Sequence, residues 1–419
     1  MAITIKIAKT AKELDDIYRF RHRVFVEERG KFGETNLTNS RVIDHFDAVP
    51  GVVNIIAYSG EHVLGSVRVN PDSSIGLPAE QYFDFSSVRA AERDIYLSDS
   101  AHEGNLSTFA SCSMLAVDEH WRNRRSVIFS LFKAATGVLH SWNVTHVICA
   151  ISEETFSMYG RLGFSAVAEK KWMDHVGDHM LPIVASFREI FEWSFSELSQ
   201  TIDRFWLDNF CGQFERILLS PGEILFNQDD KANYTYAVDE GWIAISREDP
   251  EGNEMVLANL SRGALFGEVA VFDGERRSAK AVALANTELI AIERSHMFEM
   301  LKRNPENMTQ LLKHFAKLVR DSGNMAMVQA FAHQTGRIDF ALRELWRSAV
   351  PEVQGSSLRS IKVGPSQIAK TARVREEDVR QVLELRKAQG VLDYGNRIIK
   401  FREEPEEGFK GSQFRESPL

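Results

Sequence analysis

The sequence predicts a multidomain α+β protein, and three features of the 419-residue chain carry that expectation. The first ~200 residues alternate strand-like and helix-like segments, the layout of an α/β domain. From about Ser196 onward, short strands are separated by turn signals roughly every 8–12 residues, as in a small β barrel or jelly roll. A long amphipathic segment then leads into a helical stretch that ends in a short ribbon. A chain of this length exceeds one ordinary hydrophobic core.

Taken in order, MAITIKIAK alternates Ile3, Ile5 and Ile7 with polar residues, a strand pattern rather than a signal-peptide core. GVVNIIAYSGEHVLGSVRVNP reads as two strands joined at Ser59-Gly60-Glu61. FASCSMLAVD is a further strand. SVIFSLFKAATGVLHSW sets Val127, Ile128, Leu131, Phe132, Ala135, Val138 and Leu139 on one helical face. THVICAIS is a buried strand, and EETFSMYGRLG a short helix ended by Gly163. FSELSQTIDRFWLDNF reads as helix, and the turns LSPGE, NQDDKAN, VDEGW, REDPEGNE, LSRGA and FDGER punctuate the β segment. PENMTQLLKHFAKLVRDSGNMAMVQAFAHQ is a long helix. The expected domains are residues 1–195, 196–334 and 335–404, with a charged, Gly/Pro-punctuated tail at 405–419 that is disordered.

Composition narrows the function classes. With 44% hydrophobic and 26% charged residues the chain is globular, and a net charge of −9 argues against coating nucleic acid by bulk electrostatics. A locally basic module is still allowed. The three cysteines, Cys112, Cys149 and Cys211, are scattered without a CxxC pair, which points to a reducing, cytoplasmic setting and away from a bound metal. No apolar run reaches the ~20 residues of a membrane span, so no membrane partner is expected.

FGEVAVFDGERRSAKAVA, residues 266–283, has the spacing of an anion cradle with a sugar attached. Gly267 admits close backbone approach, Glu268 can accept from a ribose hydroxyl, and Arg277 can pair with a phosphate while turn N–H groups and Ser278 complete a nest. The segment, with Val269 and Ala270 at the small apolar positions, resembles the phosphate-binding cassette of cyclic-nucleotide-binding domains. That resemblance covers roughly 195–330 and implies a β jelly roll with a long dimerisation helix behind it. It also implies cyclic AMP or cyclic GMP as effector. It places Ser322 where the family's adenine-contacting hydroxyl sits, with Gly323 removing a second hydroxyl, so the base preference stays open.

SQIAKTARVREEDVRQVLELRKAQGVLDYGNRIIKF resembles the winged helix-turn-helix of Crp–Fnr regulators, and TGRI at 335–338 matches the junction that precedes it. The span 336–403 carries 14 Lys+Arg against 9 Asp+Glu, a net of +5 in an acidic protein. The resemblance implies DNA contacts from Lys370, Arg375, Arg380, Gln381 and the wing residues Arg397 and Lys400. Arg373 stands at the turn position the family gives to glycine, and Glu376, Glu377 and Asp378 open the second helix. Those carboxylates suit helix-dipole stabilisation, so a winged helix kept for packing or partner contacts is the competing reading.

MYGRLGF, residues 158–164, resembles the closing helix and strand of acyl-CoA N-acyltransferases of the GNAT fold, in which Tyr159 would protonate a departing thiolate. LAVDEHWRNRR lies where that fold grips a pantetheine pyrophosphate. Arg122 matches, both loop glycines are absent, and Arg122, Arg124 and Arg125 with Ser126 would suit a phosphopantetheine arm on an acyl carrier protein, or the phosphates of acyl-CoA. FRHRVFVEERG, RVIDHFD and GSVRVNP resemble acyl-homoserine-lactone synthases and the related N-acyl amino acid synthases, through Arg21, Phe25, Asp44, Asp47 and Arg68. Paired carboxylates can hold a cationic amine and relay its proton as it attacks a thioester. Two departures, Ser111-Cys112-Ser113-Met114 on the family's E-x-S-R strand and Lys31-Phe32 for its tryptophan, disfavour S-adenosylmethionine and favour an ordinary amino acid or another amine.

The expectation is an N-acyltransferase, using acyl-CoA or acyl carrier protein as donor, governed by a cyclic-nucleotide sensor in a homodimer that also binds DNA. Two other readings fit the same residues. One is a Crp–Fnr-type transcription regulator with a non-catalytic GNAT-like sensor domain. The other is a cyclic-nucleotide-gated protein-lysine acetyltransferase.

Overall fold

The computed structural model describes residues 2–33, 39–91, 108–122, 125–194, 214–352 and 357–405. They form two compact units, one spanning Ile3–Arg216 and one running from Ile217 onward. The helix expected over FSELSQTIDRFWLDNF and the tail beyond Pro405 lie outside the described residues.

The first unit starts with β1 (Ile3–Ile7) and α1 (Ala11–Arg21). A capping box fixes the start of α1: Glu13 N–H donates to Thr10 Oγ1, and the Glu13 carboxylate receives Thr10 N–H. The helix widens at once into a π-helical turn, His22–Glu28, a geometry that often marks a functional site. There follow β2 (Val53–Ser59), β3 (His62–Pro71), β4 (Phe109–Val117), α2 (Arg125–Ser141), β5 (His146–Ser152), α3 (Phe156–Gly160), β6 (Ser165–Ala166), β7 (Lys171–Met173), β8 (Asp178–Ser186) and α4 (Phe187–Ser194). The strand order is β1-β2-β3-β4-β5-β8-β6, with β7 paired to β8. The expected hairpin is β2–β3, antiparallel from Ser59↔His62. Val127, Leu131, Ala135, Val138 and Leu139 of α2 are buried, as the 3.6-residue spacing requires of a helix laid on a sheet.

Two irregularities in β4 shape the unit. Ser66 pairs with Ala116 and Arg68 with Ser113, so Met114 and Leu115 together oppose Val67 in a β-bulge. Met114 takes φ 53° at that point. On its other edge β4 pairs in parallel with β5 at Phe109↔His146 and Ala110↔Val147.

The second unit contains β9 (Glu215–Leu219), β10 (Ile224–Phe226), β11 (Tyr234–Glu240), β12 (Ile243–Glu248), β13 (Glu254–Leu260), β14 (Leu265–Phe266), α5 (Glu268–Asp273), β15 (Lys280–Ala283), β16 (Thr287–Glu293), α6 (Arg294–Arg303) and α7 (Glu306–Phe331). Two sheets, β14-β11-β16-β9 and β10-β15-β12-β13, enclose Leu219, Tyr236, Val238, Ile243, Phe266 and Leu289. At 26 residues α7 is about 39 Å long. The chain then forms α8 (Gln334–Ser348), β17 (Val350–Pro351), β18 (Arg359–Ile361), α9 (Pro365–Ala372), α10 (Glu376–Ala388), β19 (Leu392–Tyr394) and β20 (Ile399–Phe401). The small sheet β17-β18-β20-β19 and its three helices bury Ile338, Leu342, Ile368, Val379, Leu383 and Phe401. No described helix is long and apolar enough to cross a membrane.

Arg373 ends α9 in the left-handed region, at φ 53° and ψ 53°. A side chain costs about 1–2 kcal/mol there, and glycine gives back part of that gain in unfolded-chain entropy. Arg373→Gly is therefore expected to stabilise this part of the chain by about 0.5 kcal/mol in denaturant unfolding. A lower midpoint would show that the Arg373 side chain makes contacts worth more than the strain.

Candidate functional site

The first unit holds a cavity of about 560 Å³, within the size range of small-molecule sites. The β4 bulge supplies Met114 and Leu115 to its wall, and the π-helical turn supplies Phe25, whose ring lies 5.4 Å from that of Phe32. Much of the remaining surface is apolar, from Ile151, Met173, Val176 and Met180. Asp44, Arg68, Ser113 and Tyr159 form a polar part.

The D-x-x-D spacing has a local cause. Asp44 accepts from Phe46 N–H at 2.8 Å, and Asp47 accepts from Asp44 N–H at 3.2 Å, a reciprocal cap on the 3₁₀ turn His45–Ala48. Both carboxylates then face arginines. Arg21 Nη1 donates to Asp47 Oδ1 at 2.9 Å, and Arg21 Nη2 donates to Asn54 Oδ1 at 2.5 Å. Arg68 donates through Nε to Ser113 Oγ, through Nη1 to Asp44 Oδ1 and Asp47 Oδ2, and through Nη2 to Asp44 Oδ2. Burial acts to raise the Asp47 pKa, but the Arg21 and Arg68 guanidiniums override it and hold the carboxyl below its ordinary value. Burial pulls Arg21 the other way, lowering its pKa against the pull of Asp47. Arg21, Asp44, Asp47 and Arg68 are thus one network, with a clear inside and outside. Arg21 and the Asp47 side chain are 0% and 2% exposed, whereas the Asp44 carboxylate is 26% exposed and lines the cavity together with Arg68.

Tyr159 also lines the cavity, edge-on to Phe132 at 5.7 Å and Phe164 at 5.5 Å. Burial pushes its phenol well above the ordinary tyrosine value, with Cys149 and Cys112 adding to the rise. Arg122 donates to the Val117 carbonyl at 3.0 Å and pairs with Glu28, so it ties the loop to the π-helical turn. Ser126 is exposed in the first turn of α2. Arg124 and the side chain of Arg125 lie outside the described atoms. Lys31 and Ser152 of the cavity wall, both bonded to Asp178, form a further polar cluster that no sequence motif announces. Its only local signal is a lysine where the resembling family has tryptophan. Asp178 is 147 positions away.

In the second unit Gly267 opens α5 at φ +72°, and a Cβ there would stand 2.7 Å from Arg277 Nη1. Arg277 is buried, donating to the carbonyls of Gly267 at 2.5 Å and Tyr234 at 2.6 Å, with its guanidinium 4.2 Å from the Phe226 ring centroid. Burial lowers its pKa against the opposing pull of Tyr236, Glu268 and Asp230. Glu268 is 2% exposed and hydrogen-bonded to His314 Nε2 of α7 at 2.9 Å. Gly267, Glu268 and Arg277 are therefore brought together. Ala270 packs with Ala232 and Val271, while Val269, Ser278 and, on α7, Ser322 are exposed.

Most of the six positions expected to meet DNA are internally paired. Lys370 bonds Glu254 of β13 at 2.7 Å, Arg375 bonds Asp378 at 3.0 Å, Arg380 bonds Glu376 at 2.6 Å and Lys400 bonds Glu352 at 2.7 Å. Gln381 and Arg397 are exposed. Among the described residues no group of His, Cys, Asp or Glu is placed to hold a metal ion.

Comparison with known proteins separates the same two units. Residues 16–186 match the family described as N-acyl amino acid synthase FeeM, and residues 216–304 match the cyclic nucleotide-binding domain. The cyclic AMP receptor protein of Thermus thermophilus is 29% identical over 190 residues, 45% of this chain and 85% of that protein. The cAMP-activated global transcriptional regulator CRP of Salmonella typhimurium is 26% identical over 179 residues, 42% and 85% of the two. Among solved structures, FeeM, an N-acyl amino acid synthase from uncultured soil microbes, aligns with a TM-score of 0.35 at 19% identity, over 48% of this chain and 97% of that one. A FeeM-like domain at the N-terminal side of the chain is thus fused to a Crp/Fnr-like cyclic nucleotide-binding domain.

Proposed function

We propose that the chain transfers an acyl group from the thioester of an acyl carrier protein or coenzyme A to the amine of an amino acid, under control of a cyclic nucleotide. The cavity carries this reading, because it sets a partly exposed carboxylate, Asp44, beside an apolar wall formed by Ile151, Met173, Val176 and Met180. In the reaction the amine nitrogen bonds to the thioester carbonyl carbon and the C–S bond breaks. Asp44 takes the proton the amine loses, and Tyr159 supplies one to the departing sulfur. Arg21 and Asp47 act from behind as positioning residues, and Arg68 transmits their hold to Asp44. Phe25 contacts the acyl chain, and Arg122, Arg124, Arg125 and Ser126 meet the donor's phosphates.

In the second unit the phosphate goes to Arg277 and Ser278 with the turn from Gly267 through Ala270, the ribose to Glu268 and the base toward Ser322. Cyclic AMP is the favoured effector, since the relatives of this unit include cyclic AMP receptor proteins. The residues from Gln334 onward act as a winged helix, and the exposure of Gln381 and Arg397 supports a second role in DNA binding. Met308, Leu312, Val319, Met327 and Phe331 expose apolar side chains along α7, which a second copy of the chain covers. Val319→Glu, at a position 74% exposed, is expected to convert the dimer to a monomer in light scattering. A wild-type monomer would contradict the dimer outright.

The deciding experiment supplies purified protein with acyl carrier protein and acyl-CoA donors and the common amino acids, with and without cyclic AMP or cyclic GMP, and follows free thiol. Thiol release that depends on the amino acid and changes with nucleotide is expected. Background release under every condition would overturn the enzyme reading, and nucleotide-independent release would overturn the control.

A further inference from the structure

Cations facing the cavity are few, and most of their bonding capacity is taken. Arg68 commits four of its five N–H donors to Ser113, Asp44 and Asp47. Arg29 pairs with Glu154, a carboxylate 62% exposed. Lys31 also stands 4.0 Å from Glu154 but is more enclosed than Arg29. Its side chain is only 14% exposed, and it comes from the loop after the π-helical turn. It donates to Ser152 Oγ at 2.8 Å and pairs with Asp178. Ser152 Oγ–H in turn donates a hydrogen bond to Asp178 at 2.6 Å, and His179 N–H donates to the other carboxylate oxygen at 2.7 Å. Three groups from the end of β5 and the start of β8 thus fix one ammonium in place. An ammonium has three donors, and two are used here. Lys31 and Ser152 both belong to the cavity wall, and Asp44 belongs to the same wall system. The chamber therefore offers a cation and a carboxylate to a single occupant, the complement of a zwitterion.

We propose that Lys31, held by Ser152 and Asp178, binds the carboxylate of the acceptor and so selects α-amino acids over simple amines. The inference rests on the acyl-transfer reading and deepens it. The remaining Nζ proton meets the acceptor carboxylate. Ser152 orients the ammonium and Asp178 holds it in place as a carboxylate, since burial works to raise the Asp178 pKa while Lys31 and Ser152 together hold it below its ordinary value. With the carboxylate pinned on Lys31, the amine is turned away from that wall and toward the thioester. A charged anchor in a partly enclosed site discriminates strongly against an analogue that lacks the matching group.

The test compares initial rates for L-tyrosine against tyramine and L-leucine against isoamylamine, with one acyl donor throughout. Lys31→Met is expected to lower kcat/KM for the amino acids about 10- to 100-fold, mainly through KM, while rates with the two amines and the KM for the donor hold steady. Lys31→Arg should recover most of the loss, and Ser152→Ala should shift the same ratio by a smaller factor. Parallel loss with amino acids and amines in Lys31→Met would overturn the assignment, as would a wild type that uses amines as well as amino acids. If Lys31→Met does not fold, an unchanged ratio in Ser152→Ala does the same. A wild type idle on every acceptor fails the acyl-transfer reading first, and the inference with it.

Discussion

Asp47→Ala is expected to destabilise the first unit by about 3–5 kcal/mol, because it leaves Arg21 as a fully buried cation whose remaining partner is the neutral Asn54. Asp44→Ala should cost clearly less. Asp47 still compensates Arg68 there, and the Asp44 carboxylate is already in part solvated. Activity should reverse the order of interest, since Asp44 faces the cavity and Asp47 does not. The pH dependence follows from the depressed pKa of Asp47. A carboxyl depressed in the fold contributes stability that is complete above its ordinary value, about 3.9, and is lost as pH falls through the folded value. The gap between wild type and Asp47→Ala should stay level from about pH 5 to 8 and close only below about pH 4. Urea unfolding at a series of pH values measures it. A gap under about 1 kcal/mol, the worth of an exposed pair, would show that the network is not the buried unit its geometry implies.

Arg277→Met should weaken cyclic-nucleotide binding about 100-fold or more in calorimetry, the loss expected when one partner of a buried charge pair is truncated. Its effect on the ligand-free protein should be small or even favourable. Among the described residues Arg277 is held by carbonyls and aromatic rings rather than by a salt-bridged carboxylate, and replacing a buried charge with an apolar side chain of similar length is often neutral or stabilising. Thermal melts with and without nucleotide separate the two effects. Binding within about threefold of wild type would place the phosphate elsewhere, a difference of less than one hydrogen bond.

The features read most readily from sequence were those with local causes. Alternating apolar residues gave β1, the Ser59-Gly60-Glu61 turn gave the β2–β3 hairpin, and the spacing of Val127, Leu131, Ala135 and Val138 gave the buried face of α2. Gly267 could be singled out because only glycine combines a positive φ with an arginine packed against its Cα. The D-x-x-D pair could be noticed, though its reciprocal capping needed coordinates. What stayed hidden depends on residues far apart in the chain. Nothing near Met114 announces the bulge, and nothing near Arg21 says that α1 turns π-helical at its end or that Asp47 meets it in full burial. Lys31 finds Asp178 across nearly the whole first unit. Acidic residues at the start of α10 were visible, and their spacing of three and four from Arg375 and Arg380 is the spacing at which helix side chains meet.

The two buried groups assigned to the nucleotide are already occupied without it: Glu268 by His314, and Arg277 by the carbonyls of Gly267 and Tyr234. In the proposed binding mode the effector displaces or shares these partners, and the observed dissociation constant is the intrinsic one divided by the fraction of the unliganded chain able to accept it. For a sensor, that fraction sets a working threshold. In that proposed role, each side chain that must first release its present partner raises the effector concentration at which the chain responds, and the hold of His314 on Glu268 is one such release.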